Sequence, residues 1–263
     1  MSQKEILQKV AEGYLSTLVN DNADALIDLV GKNAIIEDPW FPDNKGEADL
    51  RKFVAEFQDW VRPMSPRVEY LRTTVTQERV LCEDILHVGF NGEKWELPVG
   101  TVVADDRETG ATKVHVYYTN WPFNKKHSFR RALFIEQQPN RAEFSGALLT
   151  YIQSLLTGDL ERIREAWEAD IYFREASGPP YTHWGKNSVV EYFKGLFSRG
   201  APMLRDDTVN EGGRTVFMEF TVIGWNGKEW SVDKREAGLA VYERTSPDGL
   251  MRGIRIYDDV DFA

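Results

Sequence analysis

The sequence has little cysteine, no excess of basic residues and no long apolar run. Its single cysteine, Cys82, excludes an internal disulfide and a zinc site built from cysteines. The 263 residues carry 32 Lys and Arg against 42 Asp and Glu, a formal net charge of −10 that disfavours a nucleic-acid partner. No apolar run approaches the roughly 18–20 residues that span a bilayer, and the first ten residues lack a signal peptide's hydrophobic stretch. We therefore expect a cytoplasmic protein with no membrane partner.

Motifs for cofactor chemistry are also missing. The sequence contains no GxGxxG dinucleotide motif, no GxxxxGK phosphate loop and no GxSxG nucleophile elbow. Its histidines at 87, 115, 127 and 183 lack the HxxxH spacing of a helical metal site. We expect no cofactor and no bound metal, so that any chemistry would come from the chain's own side chains.

What the sequence does contain is an internal duplication. Residues 90–95 (FNGEKW) return as residues 225–230 (WNGKEW), and residues 14–18 (YLSTL) match residues 151–155 (YIQSL). A period of about 135 residues is far too long for a solenoid repeat and is typical of a duplicated domain. We predict a first copy over 1–123, a linker over 124–139 whose charges form a solvated surface, and a second copy over 140–263.

Within each copy, helices come first and long strands follow. Apolar residues at four-residue spacing indicate amphipathic helices, and Asn91-Gly92 is a strong hairpin signal. The first copy is predicted to have helices at 3–19, 23–30 and 48–61 and strands at 34–37, 67–76, 78–90, 93–105 and 112–121. The second is predicted to have helices at 140–157, 159–168 and 187–198 and strands at 205–210, 214–225, 229–243 and 250–258. This order predicts two α+β domains in tandem.

One segment connects this layout with a known superfamily. Residues 30–39 (VGKNAIIEDP) resemble the strand that ends in a catalytic Asp-Pro in ketosteroid isomerases and SnoaL-like polyketide cyclases. Tyr14 lies on the first helix, where the isomerases carry an oxyanion-binding tyrosine. The chain thus resembles two tandem copies of a nuclear transport factor 2-like domain, closest to tandem SnoaL-like proteins. The resemblance implies, in each copy, a cone of three helices on a curved, mainly antiparallel sheet.

The resemblance implies acid/base chemistry on a small, largely apolar, oxygenated ligand. In the first copy Asp38 would be the base and Tyr14 the hydrogen-bond donor, the pairing for which ketosteroid isomerase is a standard example. Asp38 is alternatively a turn residue that accepts loop amides, and Tyr14 a core residue. The isomerases' second donor, a protonated acid, aligns with Gly100 and Gly238, which argues against true ketosteroid isomerase activity.

Strand alternation offers other acids. On strand 78–90, Cys82, Asp84, Leu86 and Val88 share one face, and aligning Asn91-Gly92 with the isomerase hairpin turns that face into the pocket. The same alignment places Glu219 in the second pocket. The opposite face of the second copy, at 216, 218, 220 and 222, is wholly apolar and would form the interdomain interface if the two sheets pack together. Alternation alone does not separate pocket from interface.

The last strands and the loop after residue 174 complete the candidates. By the same alignment His115 and Arg255 point into the pockets. His115 would then be a proton shuttle, with an exposed or interface histidine as the alternative. Arg255 would be a catalytic group. In the second copy Glu175 replaces the aspartate, with Tyr151 as its donor. The remaining candidates are ligand-binding residues: Trp40, Phe53, Phe57, Tyr117, Trp121, Tyr181, His183, Tyr257 and Asp259.

Three functions remain open at this point. The first is cofactor-independent isomerisation, cyclisation or dehydration of the ligand. The second is a non-catalytic binding or scaffold role, which the missing second donors favour. The third is epoxide hydrolysis, with Glu219, Arg255 and Asp259 activating a water molecule. Because single-copy members of this fold pair through their sheets, we expect a pseudo-dimer within the chain, which is then a monomer or a homodimer through another surface.

Overall fold

The computed structural model describes residues 2–41, 44–106, 109–119, 121–124, 129–138 and 142–257. The chain divides into two compact units, Met1–Lys125 and Lys126–Ala263, each with its own hydrophobic core. Both units contain helices and a sheet, which confirms the predicted fold class of two α+β domains.

The first unit begins with helices whose ends are marked in the sequence. Ser2 and Glu5 form a capping box at the start of the first helix, and Asn22 caps the second. The elements are α1 (Gln3–Asn20), α2 (Ala23–Val30), β1 (Ile35–Glu37), β2 (Asn44–Lys45), α3 (Gly46–Val61), β3 (Arg67–Val75), β4 (Arg79–Phe90), β5 (Glu93–Asp105), β6 (Thr112–Tyr117) and α4 (Trp121–Asn124).

The six strands of the first unit form one sheet in the order β2-β1-β6-β5-β4-β3. All neighbours are antiparallel except β1 and β6, which are parallel. Asn91 and Gly92, both with positive φ (53° and 80°), form the two-residue turn of the β4–β5 hairpin. One face of the sheet carries Cys82, Leu86 and Val116 into the core with the helices.

The second unit repeats this plan. Its elements are α5 (Gly146–Thr157), α6 (Leu160–Ile163), β7 (Trp167–Arg174), β8 (Thr182–Trp184), α7 (Lys186–Ser198), β9 (Pro202–Gly212), β10 (Thr215–Trp225), β11 (Lys228–Glu229), β12 (Glu236–Arg244) and β13 (Met251–Ile256). The sheet order is β11-β10-β12-β13-β7-β8, with β9 also paired to β10. The β7–β13 pair is parallel, as β1–β6 is in the first unit.

Several sequence predictions for the second unit need correction, and the helix predicted over 140–157 begins only at Gly146. The helix predicted over 159–168 is short, because Trp167 already belongs to β7, a strand that was not predicted. The strand predicted over 229–243 is interrupted by a 3₁₀ turn at Val232–Lys234. The described part of the predicted linker hydrogen-bonds within the second unit, through Ala132 N to Arg235 O at 3.0 Å and Gln138 N to Asp207 O at 2.8 Å.

A β-bulge in β10 decides which side chains of that strand face the second core. Val222 pairs with Leu204 and Gly224 with Met203, so that Ile223 is one extra residue. Because side chains alternate along a strand, one extra residue reverses the faces on its two sides. Val222 before the bulge and Trp225 after it therefore both pack on the core. In β4, no such shift separates residues 79–90 from their β5 partners.

Candidate functional site

The second unit contains a cavity of about 180 Å³ between its helices and its sheet. Its walls come from α5, α7 and the inner face of the sheet, and they are mostly aromatic or aliphatic. The lining residues are Tyr151, Leu155, Phe173, Glu175, Ala176, Ser177, Tyr192, Phe193, Leu196, Pro202, Leu204, Phe220, Val222, Trp225 and Ile256. Glu175 is the one charged residue among them.

Glu175 lines this cavity and is paired with His183. It follows β7, and the loop after it closes through Glu175 N to Tyr181 O at 3.1 Å. His183 lies on β8, which pairs with β7, and its Nε2 is 2.7 Å from Glu175 Oε1. Their side chains are 33% and 28% exposed. Glu175 thus lines the cavity and is also partly exposed to solvent, and His183 is its partly exposed partner.

Aromatic rings hold this pair in place. The ring centroid of Tyr192 on α7 lies 4.8 Å from that of His183 and 4.5 Å from that of Phe173. Phe193, the next residue of α7, contacts Tyr151 edge-on at 6.1 Å.

Burial raises the pKa of Tyr151 well above its usual value, with Tyr242 and Tyr192 adding to the shift. Tyr151 therefore remains a protonated hydrogen-bond donor at any ordinary pH.

In the first unit, Asp38 anchors the loop that follows β1. Its Oδ1 accepts hydrogen bonds from the backbone N of Trp40 at 2.9 Å, the backbone N of Phe41 at 3.2 Å and the hydroxyl of Tyr118 at 3.0 Å. The carboxylate is buried. These are the contacts of the turn residue that the sequence left open as an alternative. Asp38 therefore has a structural role in this loop.

Tyr14 is the residue that the resemblance pairs with Asp38. Burial raises the pKa of Tyr14 well above its usual value, and the negative charge of Asp38 adds to this shift. The side chain is fully buried, and its hydroxyl has no hydrogen-bond partner among the described residues. A buried hydroxyl without a partner loses its hydration and gains no bond in return.

We expect Tyr14→Phe to raise the free energy of unfolding by about 1 kcal/mol, because it removes an unpaired polar group and keeps the ring. Urea denaturation of both proteins measures the difference. Tyr118→Phe is the matched control, since it removes a hydroxyl that does bond Asp38 and should destabilise the protein. A loss of stability in Tyr14→Phe would show that its hydroxyl has a partner in solution.

Asp84 is the second acid inside the first unit. It lies two residues from Cys82 and two from Leu86 along β4, and since both are core residues it shares the face that packs on the helices. It is 3% exposed, and the Cys82 thiol lies 3.5 Å from its Oδ2. Burial raises the pKa of Asp84 to about 7, and Glu83 adds to the rise. The thiol pKa of Cys82 is raised as well, chiefly by burial and then by Asp84.

In each unit the helices, the strand after the second helix and the antiparallel meander are the arrangement that the resemblance implied, and the structure adds the parallel pairing of that strand with the last one. Each unit has the nuclear transport factor 2-like fold. Its two copies in one chain account for the internal duplication in the sequence.

Comparisons with solved structures returned proteins that each match less than half of this chain. An NTF2-like protein of unknown function from Cytophaga hutchinsonii is 15% identical, covers 42% of this chain and 85% of its own, and has a TM-score of 0.33. An LEH-like epoxide hydrolase from M. tuberculosis is 15% identical over 42% and 78%, with a TM-score of 0.35. A protein described as a SnoaL-like polyketide cyclase from Shewanella denitrificans is 15% identical over 42% and 85%, with a TM-score of 0.33. No protein-family model and no curated relative matches the chain.

Several predicted residues of the second nuclear transport factor 2-like unit lie on the wrong face for a pocket. Core residues Ile254 and Ile256 alternate with Arg255 and Tyr257, which are thus on the opposite face of the sheet. Arg255 bonds Glu243 at 3.2 Å. The Arg174 guanidinium lies 4.6 Å from the centre of the Tyr257 ring. Asp259 is outside the described residues.

Glu219 is on this opposite face too, and the prediction that it shares the position of Asp84 is wrong. Its Oε2 accepts a hydrogen bond from Thr208 at 3.0 Å, and its neighbours Met218 and Phe220 face the core. The bulge at Ile223 is the reason, since it reverses the alternation counted back from the hairpin.

The first unit needs the same correction at its last strand. Val114 and Val116 are core residues, so His115 and Tyr117 between them lie on the other face of the sheet. Both are buried there. Their predicted position inside the cone is therefore wrong. The alignment with the isomerases was wrong by one residue in this strand, which assigned its side chains to the opposite face.

The remaining candidates take up structural positions. Phe53 and Phe57 of α3 pack on each other at 6.1 Å and are fully part of the core. The ring of Trp40 lies 4.4 Å from that of Trp60. Trp121 begins α4, and its backbone N donates to Thr119 Oγ1 at 3.1 Å.

The sequence reasoning missed most of the cavity wall in the second unit. Phe220 and Val222 line the cavity, whereas the sequence left their apolar face open between a pocket and an interface. The signal was present, because a strand's wholly apolar face ordinarily packs on its own helices. Tyr192 and Trp225 also line the cavity, and neither had been considered.

Two further observations bear on the predicted partners. Within the described ranges, no three His, Cys, Asp or Glu side chains come together as a group that could hold a metal ion. No described helix is both long and apolar enough to cross a membrane.

Proposed function

We propose that the second unit binds a small, largely apolar, oxygenated molecule in its cavity and transfers a proton on it without a cofactor. One observation carries this proposal: Glu175, hydrogen-bonded to His183, lines an aromatic cavity that Tyr151 also lines. Apolar pockets with a few converging polar groups are typical of small-molecule sites.

The chemistry that suits this site is proton removal from a carbon next to a carbonyl group. Glu175 takes the proton from the carbon, and the electron pair of the broken C–H bond moves onto the carbonyl oxygen. The hydrogen bond to His183 orients the Glu175 carboxylate. Tyr151, which stays protonated, is the donor available in the cavity for the developing negative charge. Return of the proton to another atom completes an isomerisation.

The hydrolytic alternative is disfavoured by position. Glu219 and Arg255, which would have activated a water molecule, lie on the sheet face opposite the cavity. A water-activating set built from them would not reach a ligand bound beside Glu175.

The test is exchange of the α-protons of cyclohexanone in D₂O, followed by proton NMR. The wild-type protein should accelerate the exchange above the buffer rate. Glu175→Gln should lower the protein-dependent rate by about 100-fold, because general base catalysis contributes at least that much. The amide keeps the size of the side chain and can still bond His183.

Two further variants make this result specific. Glu161→Gln changes an exposed glutamate, 83% accessible, that does not line the cavity, and it should leave the rate unchanged. Asp38→Asn tests the first unit in the same way. Equal exchange by wild type and Glu175→Gln would contradict the proposal. Binding of cyclohexanone without any accelerated exchange would leave the second unit as a non-catalytic binder.

A further inference from the structure

The size and shape of the cavity narrow the class of ligand. Its 180 Å³ lies below the roughly 300–1,000 Å³ of common small-molecule pockets. An apolar cavity of about 150 Å³ accommodates one benzene ring. The space in the second unit is therefore that of one ring with a small substituent, or of a short chain, and it is too small for fused ring systems.

Glu175 and the apolar residues Trp225 and Leu204 of the cavity wall come from strands that are far apart in the sheet. Glu175, Ala176 and Ser177 follow β7, whereas Trp225 ends β10 and Leu204 belongs to the neighbouring β9. Strands β12 and β13 lie between β7 and β10, which places those two strands about 14 Å apart across the sheet. The Glu175 carboxylate and the apolar side chains of Trp225 and Leu204 are thus on opposite sides of the cavity.

Trp225 forms the apolar end of the cavity, and the local structure fixes its position. The bulge at Ile223 turns the indole towards the core. Its Nε1 donates to the backbone O of Arg199 at 2.7 Å. A Cβ at position 224 would collide with the backbone of Lys228, so the close approach of β11 requires glycine there.

From these observations we infer that Trp225 sets the upper size limit of the ligand, and that the site takes monocyclic or short-chain molecules with their oxygen at one end. This inference rests on the proposed function of the second unit. The apolar body of the ligand packs against Trp225 and Leu204, and its oxygen lies beside Glu175. The indole of Trp225 excludes fused bicyclic molecules.

Two neutral ketones test this limit: cyclohexanone, with one ring, and 2-decalone, with two fused rings. Saturation-transfer NMR titration measures the Kd of each ketone for the wild-type protein and for Trp225→Leu. Wild type should bind cyclohexanone and bind 2-decalone at least about tenfold more weakly. Trp225→Leu should gain about tenfold in affinity for 2-decalone, because the smaller side chain frees the space of the indole.

The controls separate this inference from the function beneath it. Trp184→Leu makes the same substitution at an exposed tryptophan outside the cavity wall and should change neither Kd. Trp225→Phe keeps an aromatic ring, preserves packing if Trp225→Leu fails to fold, and should give a smaller gain in the same direction. Equal binding of both ketones by wild type, or no gain in a folded Trp225 variant, overturns the size limit alone. Failure of wild type to bind cyclohexanone overturns the proposed function and the size limit with it.

Discussion

Replacing Asp84 by asparagine should stabilise the protein at pH 8 by about 4 kcal/mol and leave its stability nearly unchanged at pH 4. The reason is the burial of the Asp84 carboxyl group on the inner face of the first sheet, which raises its pKa to about 7. In the unfolded chain the same group titrates near its ordinary value of about 3.9.

The pKa values of Asp84 in the folded and unfolded states decide how the stability changes with pH. Below pH 4 the carboxyl group is protonated in both states, and folding buries a neutral group. Between about pH 4 and pH 7 the unfolded chain releases the proton while the folded protein retains it, so the wild type loses stability as the pH rises. Asparagine carries no charge at any pH and removes this loss.

Urea denaturation at pH 4, 6 and 8 measures the difference between wild type and Asp84→Asn. Asp59→Asn is the matched control, because Asp59 is exposed on α3 and its replacement should shift stability little at every pH. A constant difference between wild type and Asp84→Asn across this range would mean that Asp84 ionises normally in the folded protein.

Replacing Asp38 by alanine should lower the free energy of unfolding by about 3 kcal/mol. Its Oδ1 is the acceptor for two backbone amides of the loop after β1 and for the hydroxyl of Tyr118. Alanine leaves these donors unpaired in a place where water reaches them poorly, and each such donor costs about 1 kcal/mol or more.

Asp38→Asn separates the structural role from the chemical one. The side-chain oxygen of asparagine can still accept the loop amides, so this variant should lose only about 1 kcal/mol. Thermal or urea unfolding of the three proteins gives the comparison. If alanine and asparagine are equally tolerated, the loop does not depend on this acceptor. If Asp38→Asn is stable but loses proton exchange, the base lies in the first unit.

Most of the fold could be predicted because its signals are local. Apolar spacing indicates α1, α2 and α3 within two residues of their observed bounds, and Asn91-Gly92 defines the β4–β5 hairpin. The matched motifs of the two copies predict the second unit from the first. The failures occur where the copies differ, as at Trp167, whose strand lies where a helix was expected.

The sequence predicted those site residues that can be found by matching positions in the two copies. Glu175 lies two residues beyond Phe173, which pairs with Ile254 in β13, just as Asp38 lies two residues beyond Ile36, which pairs with Val114 in β6. The equivalence of Glu175 and Asp38 could be predicted from the internal duplication. The hydrogen bond between Glu175 and His183 was not, because it depends on how β8 returns beside β7.

The sequence by itself determined the duplication, the α+β layout and the two acids that follow the first strand of each copy. Only the tertiary structure decided which strand faces meet the helices, and hence that Asp84 lies inside a core while Glu219, His115 and Arg255 do not. The physical reason is that a strand reverses its side chains at every residue. In β10 the single extra residue Ile223 therefore moves Glu219 from the cavity face of the sheet to the opposite face. The spacing of residues in the sequence does not reveal this reversal.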